Sequence, residues 1–127
     1  MGPTLGFWLA FATTVALLVV SLVSGLLGRR RVHLVTGPLT IVMLAVAVVM
    51  TEQLMRGYTF PVEEMKIHLM IAKTAAALAL VVVATGIWLW RRPAVRRWHQ
   101  IAVWAFVVLT LVATGTGIWV FCLSVPR

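Results

Sequence analysis

Anionic side chains are almost missing from this chain. There is no aspartate, and the three glutamates, Glu52, Glu63 and Glu64, all lie in or beside one short stretch outside the long apolar runs. A small four-helix exporter that trades protons for cationic drugs needs a carboxylate within the membrane, so that class is disfavoured. Cysteine is equally scarce. With Cys122 alone, an intramolecular disulfide, a Cys-x-x-Cys redox pair and a cysteine-rich metal site are excluded. A membrane reductase of vitamin K type loses its cysteine pair by the same count, and the clustered polar, arginine-lined site of a glutathione-dependent membrane enzyme is absent too.

What the chain has instead is apolar length. Hydrophobic residues make up 62% of it, charged residues 11%, and the mean hydropathy is +1.06. A soluble domain of 127 residues has too little interior to hide that much apolar surface. Four runs, over residues 5–27, 32–54, 65–90 and 98–123, each reach the ~20 residues needed to cross a hydrocarbon core. The pattern predicts an all-α, four-helix transmembrane up-and-down bundle, with residues 1–127 as a single transmembrane domain. The first run is read as a helix and not as a cleavable leader, because no basic segment precedes it and it is too long for a signal-peptide core.

The formal charge of +8 comes largely from two loops, one with Arg29, Arg30 and Arg31, the other with Arg91, Arg92, Arg96 and Arg97. The positive-inside rule puts both on the cytoplasmic side of a prokaryotic-type inner membrane, with both termini and the 52–65 loop opposite. The basicity is thus read as topology and not as nucleic-acid binding; anionic headgroups or an acidic partner subunit are its natural contacts. Trp8, Trp88, Trp90, Trp98 and Trp119 fall near the expected membrane surfaces, as an aromatic belt does.

Along the chain, the first helix carries Ser21, Ser24 and Gly25 but no ionisable residue, and reads as a packing helix. His33 opens the second directly after the arginines, and Gly37-Pro38 one turn later predicts a kink or a loosened first turn. Pro61 marks the start of the third helix, with Glu63 and Glu64 near its positive dipole end. Lys73 lies inside the third apolar run, where it must snorkel to the interface or pair with a glutamate of the preceding loop.

The third and fourth runs share a repeat. His68 leads to Thr85-Gly86-Ile87-Trp88 and His99 to Thr116-Gly117-Ile118-Trp119, and the offset is the same because 85 − 68 = 17 and 116 − 99 = 17. The step from histidine to glycine is about five helical turns, roughly 27 Å, so the two share one face at opposite ends of a helix. In antiparallel neighbours, Gly86 then lies at the depth of His99 and Gly117 at the depth of His68. Ala72, Ala75 and Ala79 continue the face of His68 as a stripe of small residues, which suits close helix packing or room for a porphyrin or quinone.

His33 and His99 fall at the same end of two helices that are diagonal in an up-down bundle, where opposed imidazoles would hold a six-coordinate haem. The layout and the motifs at His33, His68, His99 and the two Thr-Gly pairs resemble the small transmembrane bis-histidine cytochromes b. That resemblance implies haem b held by His33 and His99, with Gly37, Gly86 and Gly117 around the cofactor. It also implies electron exchange with a quinone or a redox partner protein, as the electron-transfer subunit of an oxidoreductase at most. The chain departs from the di-haem members by lacking a histidine on its first helix. His68 is therefore left for a five-coordinate second haem, one completed by Met55, a quinone or a metal, for which Glu52, Glu64 and His68 form a candidate set. The competing reading is a haem-free structural subunit of a respiratory or photosynthetic membrane complex.

Overall fold

A computed structural model describes residues 3–127. The chain is all-α, with four long helices: α1 (Pro3–Leu26), α2 (Arg30–Met55), α3 (Val62–Arg91) and α4 (Arg96–Cys122). All four are long and apolar enough to cross a membrane, as the four runs require. Sequence-adjacent helices pack together, α1 with α2 and α3 with α4. Where composition suggests one domain, the packing divides the chain into two compact helical hairpins, one ending at Tyr58 and joined by Arg127, the other Thr59–Pro126.

Each helix end has a local cause. Gly28 adopts φ +69°, a left-handed conformation that glycine enters without a Cβ penalty. It closes α1 with two bonds, Arg29 N–H to Ser24 O at 2.8 Å and Gly28 N–H to Gly25 O at 3.3 Å, the pairing of a Schellman cap. This tight reversal starts α2 at Arg30 and makes His33 its fourth residue. α2 then runs unbroken through Pro38 to Met55.

Pro61 is the extended N-cap of α3, and Glu63 and Glu64 occupy the first turn beside the positive end of the helix dipole. Glu63 also pairs with Lys66 at 2.8 Å, one turn on. This polar first turn explains why the helix starts ahead of the apolar run. At the other reversal Pro93, which cannot continue α3, begins a short 3-10 turn, Pro93–Val95, that winds directly into α4.

Small side chains mark the packed faces. Ala10, Thr14, Ser21 and Ser24 of α1 are buried with Thr40 and Ala47 of α2; in the other hairpin Ala75 and Ala79 of α3 are buried with Ala102, Phe106, Val107 and Val120 of α4. Lipid is as apolar as leucine, so membrane helices associate through close backbone approach, which small residues permit. The alanine stripe of α3 is therefore a helix-packing face. Large residues face outwards, Met70 and Leu80 at 72% and 71% exposure, and the five tryptophans of the expected belt are exposed too.

Backbone-satisfied hydroxyls complete the economy of the membrane region. Thr14, Thr40 and Thr51 each donate to the carbonyl four residues earlier, at 2.7, 2.6 and 2.7 Å, so none carries an unmet donor into hydrocarbon. Lys73 is exposed, and Lys66–Glu63 is the ion pair found among the described residues. Of the two alternatives for Lys73, the ion pair with a glutamate is not formed among the described residues.

Candidate functional site: three histidines seated on glycines

All three histidines sit within hairpins, each against a glycine of the neighbouring helix. A Cβ built on Gly86 would stand 3.3 Å from His99 Cε1, one on Gly117 3.1 Å from His68 Cε1, and one on Gly25 3.1 Å from His33 Nδ1. The glycines therefore clear space for the imidazole rings themselves. Depths match the repeat: His99 meets Gly86 and His68 meets Gly117.

Beside each glycine is the group that holds the ring. Nδ1 of His99 lies 3.0 Å from Thr85 Oγ1, and Nδ1 of His68 lies 3.0 Å from Thr116 Oγ1. Nδ1 of His33 lies 2.9 Å from the Ser21 carbonyl, with Ser21 Oγ at 3.5 Å. The two contacts of the α3–α4 hairpin obey one register, since 68 + 116 = 184 and 99 + 85 = 184. In an antiparallel pair the sum of facing positions is constant. A motif repeated with equal offset on both helices must therefore close at both ends once it closes at one.

The hydrogen-bond partners constrain the tautomer. Thr85 Oγ1 donates its single hydrogen to the carbonyls of Val81 and Val82, at 2.8 and 3.1 Å, and Thr116 Oγ1 donates to Ala113 O at 3.1 Å. With its hydrogen on a carbonyl of its own helix, each hydroxyl accepts from the imidazole. The Ser21 carbonyl facing His33 is an acceptor by nature. For His33, facing a carbonyl, the neutral ring is therefore an Nδ1–H donor with its lone pair on Nε2, and the intrahelical bonds of Thr85 and Thr116 assign the same tautomer to His99 and His68. A hydrogen bond at Nδ1 that orients the ring and leaves Nε2 basic is the arrangement that metal-binding histidines use.

Gly37 falls elsewhere. Its nearest contact is Ser21 Oγ of α1, 3.7 Å from where a Cβ would be, so it lets α1 and α2 approach beside His33. Sequence reasoning treated α1 as packing alone and missed the seat of His33. The signal was present: Ser24-Gly25 is a hydroxyl–glycine pair like Thr85-Gly86 and Thr116-Gly117, placed just before a reversal that ends in a histidine. Among the described residues no group of three or more His, Cys, Asp or Glu side chains gathers as metal ligands, so the set Glu52, Glu64 and His68 is not assembled. Thr110 Oγ1 is the buried polar side-chain atom without a hydrogen-bond partner among the described residues.

By fold and site this is an integral membrane protein of two helical hairpins with oriented histidines at the helix ends. Comparison with protein-family models, curated proteins and solved structures finds no match.

The two neighbouring glycines of α4 give a direct test of the seating. Gly117 faces His68 at 3.1 Å, whereas nothing lies within 4 Å of a Cβ on Gly115. Gly117→Val should lower stability in detergent by about 1–3 kcal/mol through overpacking, and Gly115→Val should leave it nearly unchanged. Equal effects in a denaturation series would contradict the seating.

Proposed function

We propose that the protein is a haem b-binding electron-transfer protein of the membrane, or the cytochrome b subunit of a redox complex, exchanging electrons with a quinone or a partner subunit. The observation that carries this reading is the Nδ1 contact common to the three histidines, because an axial ligand needs an oriented ring and the Nε2 lone pair. His33 and His99 are the pair proposed for one haem. Each is the fourth residue of its helix, after an arginine cluster, and the proposed orientation, with both arginine loops cytoplasmic, would put both histidines near that membrane surface.

Bound haem would supply one-electron redox chemistry in a low-dielectric shell. The chain's own groups do the rest. Ser21 O and Thr85 Oγ1 hold the two rings and keep Nδ1 protonated, Gly25 and Gly86 give the rings their seats, and the apolar helices exclude water. His68, seated in the same way by Thr116 and Gly117, is a second site for a haem, a quinone or a metal. A haem-free accessory subunit is the other reading, and it draws on the fact that each ring already fills its glycine notch and makes an interhelical hydrogen bond.

Absorption spectra of the purified protein, oxidised and dithionite-reduced, distinguish the two. Sharp reduced α and Soret bands are expected, with His33→Ala or His99→Ala abolishing binding or giving a high-spin spectrum. Gly86→Val should lower haem occupancy, while Gly117→Val should spare the haem of His33 and His99. A protein without a Soret band after expression in haem-replete cells leaves the accessory-subunit reading standing.

The orientation is part of the same proposal, with the arginine loops cytoplasmic and both termini outside. Cys122 is exposed at the end of α4 and is the natural reporter. A membrane-impermeant maleimide added to intact cells with a permeabilised outer envelope should label it. Labelling seen only in inverted vesicles would reverse the topology.

A further inference from the structure

Two surface grooves, one in each hairpin, have the same chemical make-up. On α4 a shallow, open groove begins at Arg97 and Gln100, then passes Ile101 and Trp104 to Val108 and Leu109. On the α1–α2 hairpin a groove of about 300 Å³ begins at Arg29 and Val32 and continues past Leu27, Val23 and Val19. Each has one arginine at its head and apolar side chains below. From Arg97 to Leu109 is about 18 Å along the helix, close to the ~15 Å of one leaflet's hydrocarbon.

Charge decides what fits. Seven arginines, Arg29, Arg30, Arg31, Arg91, Arg92, Arg96 and Arg97, lie at these two reversals, while all three carboxylates of the chain lie in residues 52–64. The ion pair among the described residues, Lys66–Glu63, involves none of them. The chain offers these arginines no side-chain carboxylate, and an anion attached to an apolar chain about one leaflet long matches both the head and the floor of each groove.

We propose that these grooves are binding sites for anionic phospholipid, with the headgroup phosphate at Arg97 and Gln100 in one and at Arg29 in the other, and an acyl chain along the apolar floor. The α4 groove is the more extensive, and Trp104 lies in its wall as a reporter. The inference is independent of haem. It assigns a specific lipid contact to the side of the protein that the arginines define.

The test uses the full-length protein in phosphatidylcholine bilayers containing a minor fraction of lipid brominated on its acyl chains, either phosphatidylglycerol or phosphatidylcholine. The Trp104 contribution is isolated by difference against Trp104→Phe. Brominated phosphatidylglycerol should quench Trp104 about fivefold more, mole for mole, than brominated phosphatidylcholine, the enrichment expected for one arginine near a membrane surface. Arg97→Gln should abolish that ratio and Arg29→Gln should leave it intact. Equal quenching by the two lipids, or a ratio insensitive to Arg97→Gln, overturns the site. Loss of the ratio on adding inorganic phosphate overturns it as well, because the headgroup alone would then be the ligand.

Discussion

The hydrogen bond from each histidine Nδ1 to an acceptor on the facing helix is the contact on which the rest of this structure turns. In hydrocarbon an imidazole N–H without an acceptor costs several kcal/mol, of order the penalty for any unmet polar group there. Thr85, Thr116 and the Ser21 carbonyl each remove that cost. The bond is possible because a glycine stands beside it. With ring atoms 3.1–3.3 Å from the position of an added Cβ, any side chain at Gly25, Gly86 or Gly117 would force the neighbouring helix or the ring to move.

The same contact does three things. It sets the register of each hairpin, since only one alignment brings histidine to hydroxyl at both ends of α3–α4. It orients the ring, and it chooses the tautomer, so that Nε2 keeps its lone pair. The first is a packing role and the last two are what a metal or haem site requires, which is why helix association and proposed cofactor binding converge on the same residues. The two acceptor hydroxyls are themselves tied to their own helix carbonyls, so His99 and His68 bond to groups whose hydrogen is engaged within its own helix.

The four helices were legible because apolar runs of this length have few other uses. The facing of His68 with Gly117 and His99 with Gly86 was legible for a geometric reason: an equal offset on two antiparallel helices fixes depth without any knowledge of side-chain packing. The faces of α1 and α2 were not. In a membrane the lipid-exposed side is as apolar as the packed side, so hydrophobic periodicity is weak and the small residues Ala10, Ser21, Ser24 and Ala47 mark the interface by size alone. The seat of His33 was hidden behind the Gly28 cap, whose short reversal gives a spacing from Gly25 to His33 unlike that from Gly86 to His99. Its acceptor is a backbone carbonyl, which no residue type announces. Gly37, which the resemblance places near the cofactor, has Ser21 Oγ of the facing helix 3.7 Å from where its Cβ would be, a neighbour that the sequence does not announce.

The central claim is that all three imidazoles are held as Nδ1–H tautomers with Nε2 as the basic nitrogen. Solid-state nitrogen-15 NMR of histidine-labelled protein in lipid bilayers, prepared without haem, reads this directly. The account predicts protonated-type shifts at Nδ1 and unprotonated-type shifts at Nε2 for His33, His68 and His99, with Thr85→Val and Thr116→Val releasing His99 and His68, respectively, to a tautomer mixture. Protonation at Nε2 in the unaltered protein would contradict it.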